Sequence, residues 1–110
     1  MRVQSVMTAS LVLSELLEQL AQQLDYHGHW QITAPSIADL SSTEPFSIDT
    51  LSATEWLQWI FIPKMNQLIS HGQPTPTGFS IAPYIEEALK DVDGYIDIVR
   101  LCHAIDALGK

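Results

Sequence analysis

The chain is poor in the features that most often reveal an activity. Its 110 residues include one cysteine, Cys102, which excludes an internal disulfide framework and a cysteine-built zinc cage. Lysine and arginine number 5 against 13 aspartates and glutamates, a net charge of −8. Binding a nucleic-acid backbone takes cations that displace condensed counterions, so direct nucleic-acid binding is not expected. The 5 glycines are dispersed, and there is no P-loop, dinucleotide fingerprint, His-Glu-x-x-His or Gly-x-Ser-x-Gly. The most apolar window, Trp56 to Ile69, is broken by Gln58, Pro63, Lys64, Asn66 and Gln67 and falls short of the ~20 apolar residues of a membrane span. The stretch from Val3 to Leu13 is diluted by Gln4, Ser5, Thr8 and Ser10 and lacks a small-residue cleavage site, so it reads as helix and not as a signal peptide. A cytoplasmic protein without a membrane segment is the expectation.

What remains is a single domain, 1–110, with 46% apolar residues, enough for a core. Leu13, Leu16, Leu17, Leu20 and Leu24 recur at helical spacing, predicting a helix over about 3–24 with Gly28 as its stop. From His27 to Ser52 the pattern changes to Pro, Ser, Thr and Asp with scattered large apolar residues. So long a connection implies structure of its own: an ordered strap pinned by Trp30, Ile32, Ile37, Leu40, Phe46 and Ile48. Ser52-Ala53-Thr54-Glu55 matches a capping box, with Leu51 and Trp56 placed for a hydrophobic staple. A helix therefore starts near Ala53. Pro63 either kinks it or opens a second helix, and both versions end near His71 with Gly72 as a left-handed cap.

After the loop Gln73–Gly78, Pro83 suits the start of a helix running to about Leu89. Asp91 or Asp93 then caps a last helix, whose stripe is Ile98, Leu101, Cys102, Ile105 and Leu108. The fold class is all-α, a bundle of four to five helices with a long strap between the first and second.

The chemical candidates are few. His27, His29 and Asp25 form a metal-like cluster, but no further ligand is brought near by the sequence; a helix end and turn with the imidazoles solvated or hydrogen-bonded to nearby carbonyls accounts for them. The carboxylate pairs Glu86/Glu87, Asp91/Asp93 and Asp49/Glu55 are accounted for by helix caps and helix N-termini. Cys102 lies in an apolar stripe and reads as core. No catalytic, cofactor or metal residue is assigned. The unusual run is Trp56-Leu57-Gln58-Trp59-Ile60-Phe61-Ile62-Pro63, where Gln58 alone is polar. Either neighbours and strap bury it on every side, or one edge, Trp59 with Phe46, stays open to a partner or a small apolar ligand.

Ser42 to Thr50, Glu55-Trp56-Leu57-Gln58-Trp59, Ile62-Pro63-Lys64-Met65 and Ile81 to Leu89 with its Ala82-Pro83-Tyr84, together with His29-Trp30, resemble the YqcC-like family of small bacterial proteins across essentially the whole chain. The resemblance implies a compact helical bundle of unassigned biochemical function, often labelled with tRNA pseudouridine synthase C through gene neighbourhood. It implies no synthase activity: the one Arg-Leu pair, Arg100-Leu101, is followed by Cys102 and not by aspartate. Phe46, Asp49, Trp56, Trp59, Pro63 and Tyr84 are the candidate partner- or ligand-binding residues. The leading expectation is a non-catalytic accessory protein with tRNA pseudouridine synthase C as its partner. The alternative is a small-molecule binder with a pocket under the Phe46 strap, beside the Trp-rich helix. An enzyme using Asp49 or Glu55 as base ranks last.

Overall fold

The computed structural model describes the backbone of residues 2–74 and 76–109 and the side chains of residues 9–74 and 76–109. Helix α1, Arg2–Tyr26, contributes Leu13, Leu17, Leu20 and Leu24 to the core, each at most 1% exposed. Burying a leucine this completely contributes about 2 kcal/mol. The last helix, α6, Tyr95–Leu108, meets α1 with Ile98, Val99, Leu101, Cys102 and Ile105. Leu108, the last member of the predicted stripe, is partly buried.

Between them run a one-turn helix α2, Ile37–Leu40, a 3₁₀ turn at Pro45–Ser47, α3, Ala53–Trp56, a π-helical turn at Leu57–Phe61, α4, Ile62–Ser70, and α5, Ala82–Ala88. α4 packs on α1, and α5 packs on α6. Among the described residues there is no strand, and no helix is long and apolar enough to cross a membrane. The all-helical bundle expected from the spacing is what forms.

The glycine stops act as their positions require. Gly28 has φ +80°, and the chain after α1 folds back with Gly28 N–H donating to Asp25 O and His29 N–H to Leu24 O. Gly72, φ +68°, ends α4 with the same pair of bonds, to Ile69 O and Leu68 O. Both are Schellman motifs, which satisfy carbonyls that a helix end leaves open.

Two local expectations are overturned. Neither Asp91 nor Asp93 caps α6: its N-cap is Gly94, φ +83°, with no side-chain cap. Glycine is required at this cap by the close approach of α1's end, since a Cβ on Gly94 would lie 2.3 Å from His27 Cδ2. Asp93 serves instead through its backbone carbonyl, which lies 2.7 Å from His29 Nε2. The second concerns the strap. Ile32, Ile37 and Ile48 are 98%, 84% and 60% exposed and anchor nothing, and Trp30 is also exposed. Composition alone does not say which apolar residues of an irregular segment point inward, because no backbone period constrains them.

Candidate functional site

The site candidates gather around the rod formed by α3, the π turn and α4. Its start is the predicted capping box: Ser52 Oγ accepts the Glu55 N–H at 3.3 Å, and the Ser52 N–H donates to Glu55 Oε1 at 2.8 Å. Pro63 lies in the first turn of α4, as one of the two expected arrangements has it, but the rod runs on without a break from α3 through the π turn. Trp56, Leu57, Phe61 and Ile62 all keep right-handed helical dihedrals, and the Ile62 N–H reaches back to Leu57 O. Proline has no N–H to give and its ring crowds the carbonyl four residues earlier; a turn widened to i→i+5 just upstream takes up both. In an unbroken α-helix, residues five apart diverge by roughly 140° around the axis. The wider turn brings Trp56 and Phe61 together instead, with ring centroids 5.3 Å apart and planes at 29°.

One side of the rod holds the front of the strap through hydrogen bonds. Gln58, 4% exposed, accepts the Gln31 N–H at 2.8 Å and donates its Nε2 to Gln31 O at 2.7 Å. The Gln31 side chain donates to Glu55 Oε2 at 3.1 Å and accepts the Trp59 Nε1–H at 2.9 Å. The lone polar residue of the Trp-rich run is thus buried with both amide groups satisfied, which is the condition for burying it at all. Glu55 sits below the usual carboxylate range, chiefly because the Ser52 backbone N–H stabilises its charge against the opposing effect of burial.

The other side holds the rear of the strap through aromatic rings. Phe46 stacks on Tyr84 of α5 at 4.2 Å and 17°, and meets Trp56 edge-on at 4.9 Å and 67°. Burial pushes the Tyr84 hydroxyl pKa up. The backbone here is strained: Phe46 and Ser47 have φ of +58° and +49°, a region costing non-glycine residues of order 1–3 kcal/mol each. Beside this cluster lies a groove of about 450 Å³ whose lining includes Phe46, Trp56, Ile60, Phe61, Lys64, Met65 and Phe79.

Of the six candidate residues, the structure brings Phe46, Trp56 and Tyr84 into one cluster. Trp59 turns to Gln31 on the other side, so the pairing of Trp59 with Phe46 as one open edge does not form. Asp49 accepts the Ser42 hydroxyl at 2.5 Å inside the strap, and Pro63 is exposed on the rod. Sequence reasoning missed Gln31 and Gln58 as a clasp, and Asp106 as well. The Asp106 carboxylate accepts the N–H groups of Ile81 and Ala82 at 2.9–3.0 Å, capping α5 from α6. None of these has a local signal, because each partner lies 24 to 27 residues away.

Elsewhere the titratable groups are structural. Burial, reinforced by Asp106, pushes the Cys102 thiol up to about 12, far from the thiolate a nucleophile needs. His103 pairs with Glu86 across α5 and α6 at 2.7 Å. Among the described residues no three histidines, cysteines, aspartates or glutamates converge as a metal site.

These features define a small helical bundle built on a proline-bearing rod clasped by an ordered strap, with an aromatic groove on one flank. Residues 12–108 match a family model described as tRNA pseudouridine synthase C. An uncharacterised protein of Haemophilus influenzae is 49% identical over 92 residues, covering 84% of this chain and 87% of that one. The uncharacterised protein YqcC of Escherichia coli is 44% identical over 73 residues, covering 66% and 67%. The solution NMR structure of protein YqcC from E. coli aligns with a TM-score of 0.80 at 37% identity, covering 92% of this chain and 87% of that chain. A shorter stretch of 40 residues is 50% identical to a protein of Pectobacterium carotovorum subsp. carotovorum named tRNA pseudouridine synthase C, covering 36% of this chain and 11% of that protein. The chain belongs to the YqcC-like family.

Proposed function

We propose that this chain is a non-catalytic accessory protein that docks on tRNA pseudouridine synthase C. The observation that carries the reading is the Pectobacterium protein: it bears the synthase name, and the stretch matching this chain is only 11% of it. A stretch like this chain inside a longer protein of that name supports association of the two as separate chains, since tethering replaces association by effective concentration. Charge supports the same reading. Residues 3–63 contain seven carboxylates and no lysine or arginine, which suits a basic, tRNA-binding partner and speeds encounter with it. The strap adds Ile32 and Ile37 as exposed apolar contacts beside Asp39.

The test is co-purification of the tagged protein with the synthase C of its own genome, with and without ribonuclease, over a salt series. A stoichiometric, ribonuclease-resistant complex that weakens steeply with salt is expected. Absence of a complex at low salt, or a complex indifferent to salt, would overturn the reading.

A further inference from the structure

We infer that the groove between the Phe46 strap, the rod and Phe79 is a binding site for an aryl carboxylate, a small molecule with one flat ring system and one negative charge. The volume, about 450 Å³, lies in the range of small-molecule sites. Its walls are flat: Trp56 and Phe61 are stacked, Phe79 lies 6.5 Å from Phe61 at a 59° tilt, and Phe46 meets Trp56 on its edge. Such surfaces favour an offset-stacked or edge-on aromatic guest.

Charge then selects the guest's polar end. Lys64 is, among the described residues, the one cation lining the groove. Among the described residues it makes no ion pair, whereas Lys90 and Arg100 are paired with Glu87 and Asp97. One unpaired ammonium among the described residues matches a monoanion. The chain's net charge of −8 repels any anion away from Lys64, and a dianion such as a phosphate monoester about twice as strongly as a carboxylate. Ser80, also on the lining, adds a hydroxyl donor. The strained backbone at Phe46 and Ser47 is consistent with a segment held in place for this wall, because strain tends to persist at ligand clamps.

The site is independent of the accessory role, and its test contains no synthase. The full-length protein is titrated with phenylacetate and indole-3-acetate, then with phenylacetamide and phenyl phosphate, followed by NMR shifts of the Trp56 indole and Phe79 ring. The carboxylates are expected to bind at least tenfold more tightly than the amide and the phosphate. In Lys64→Gln, which removes the charge from an exposed side chain, that advantage over the amide is expected to vanish. Several outcomes would overturn the proposal: no saturable shift with either carboxylate, shifts confined to other parts of the bundle, equal or tighter binding of phenyl phosphate, or an unaltered preference in Lys64→Gln. Self-association that buries Trp56 without any ligand would also overturn it, by making the groove an interface between copies.

Discussion

The two flanks of the rod hold the same strap by different physics. At Gln31 the attachment is directional: two backbone bonds to Gln58 and two side-chain bonds to Glu55 and Trp59. At Phe46 it is made of ring faces against Tyr84 and Trp56, bought with two residues of left-handed backbone. Hydrogen bonds fix register, because a one-residue slip would orphan a buried amide at Gln58. Ring contacts fix proximity but tolerate sliding, and they leave a groove beside them. The polar flank is therefore read as the strap's anchor and the aromatic flank as its adaptable surface.

The largest expected effect comes from breaking the anchor. Gln58→Leu keeps the volume but strips the Gln31 N–H and C=O of their partners, and is expected to cost about 3 kcal/mol. A urea titration measures the loss, and faster hydrogen exchange at the Gln31 amide would locate it. An unchanged urea midpoint would mean that the clasp is ornamental.

The aromatic flank should respond less, and in an unusual order. Phe46→Ala loses a half-buried ring and its stack, about 2 kcal/mol. Phe46→Gly loses the same ring but relieves the positive φ, so its loss is expected to be about 1 kcal/mol smaller. Glycine outranking alanine is the reverse of ordinary helix or strand positions. If alanine proves the milder replacement, the left-handed backbone at Phe46 relaxes at little cost and the strap is not sprung.

What was legible in the sequence follows the same division. Periodic or local features could be read directly: the leucine face of α1, the stripe of α6, the capping box at Ser52 and the Gly72 cap all depend on residues within a few positions of one another. The strap could be recognised as ordered but not oriented. Phe46 turned inward while Ile32, Ile37 and Ile48 turned outward, and without a period nothing local distinguishes them. Pro63 announced a disturbance, yet its resolution as a π turn depends on how the whole rod packs. The Gln31–Gln58 clasp and the Asp106 cap join residues far apart in the chain, so they became visible only when the fold brought them together. Of the six candidate residues, Phe46, Trp56 and Tyr84 lie in one cluster, and that grouping was supplied by the fold.

The smallest effect separates the two flanks by pH. Glu55 has its pKa lowered from 4.5, first by the Ser52 backbone N–H and then, against the opposing effect of burial, by the Gln31 amide and the Ser52 hydroxyl. A carboxyl more acidic in the folded state adds stability above its unfolded value, and that increment is lost as pH falls through the folded one. The group is partly solvated, so the increment is modest. The native protein should therefore melt above Glu55→Gln near about pH 6, with the gap closing as the pH drops below 4.5. NMR gives the sharper version. Through the same titration the Gln31 amide and the Trp59 indole N–H should shift, since both belong to the clasp that Glu55 closes. The Phe46 and Tyr84 ring signals should stay still, because their contact is a stack of neutral rings. Shifts of equal size at both ends would mean that the strap moves as one piece, and the distinction between an anchored and an adaptable flank would fail.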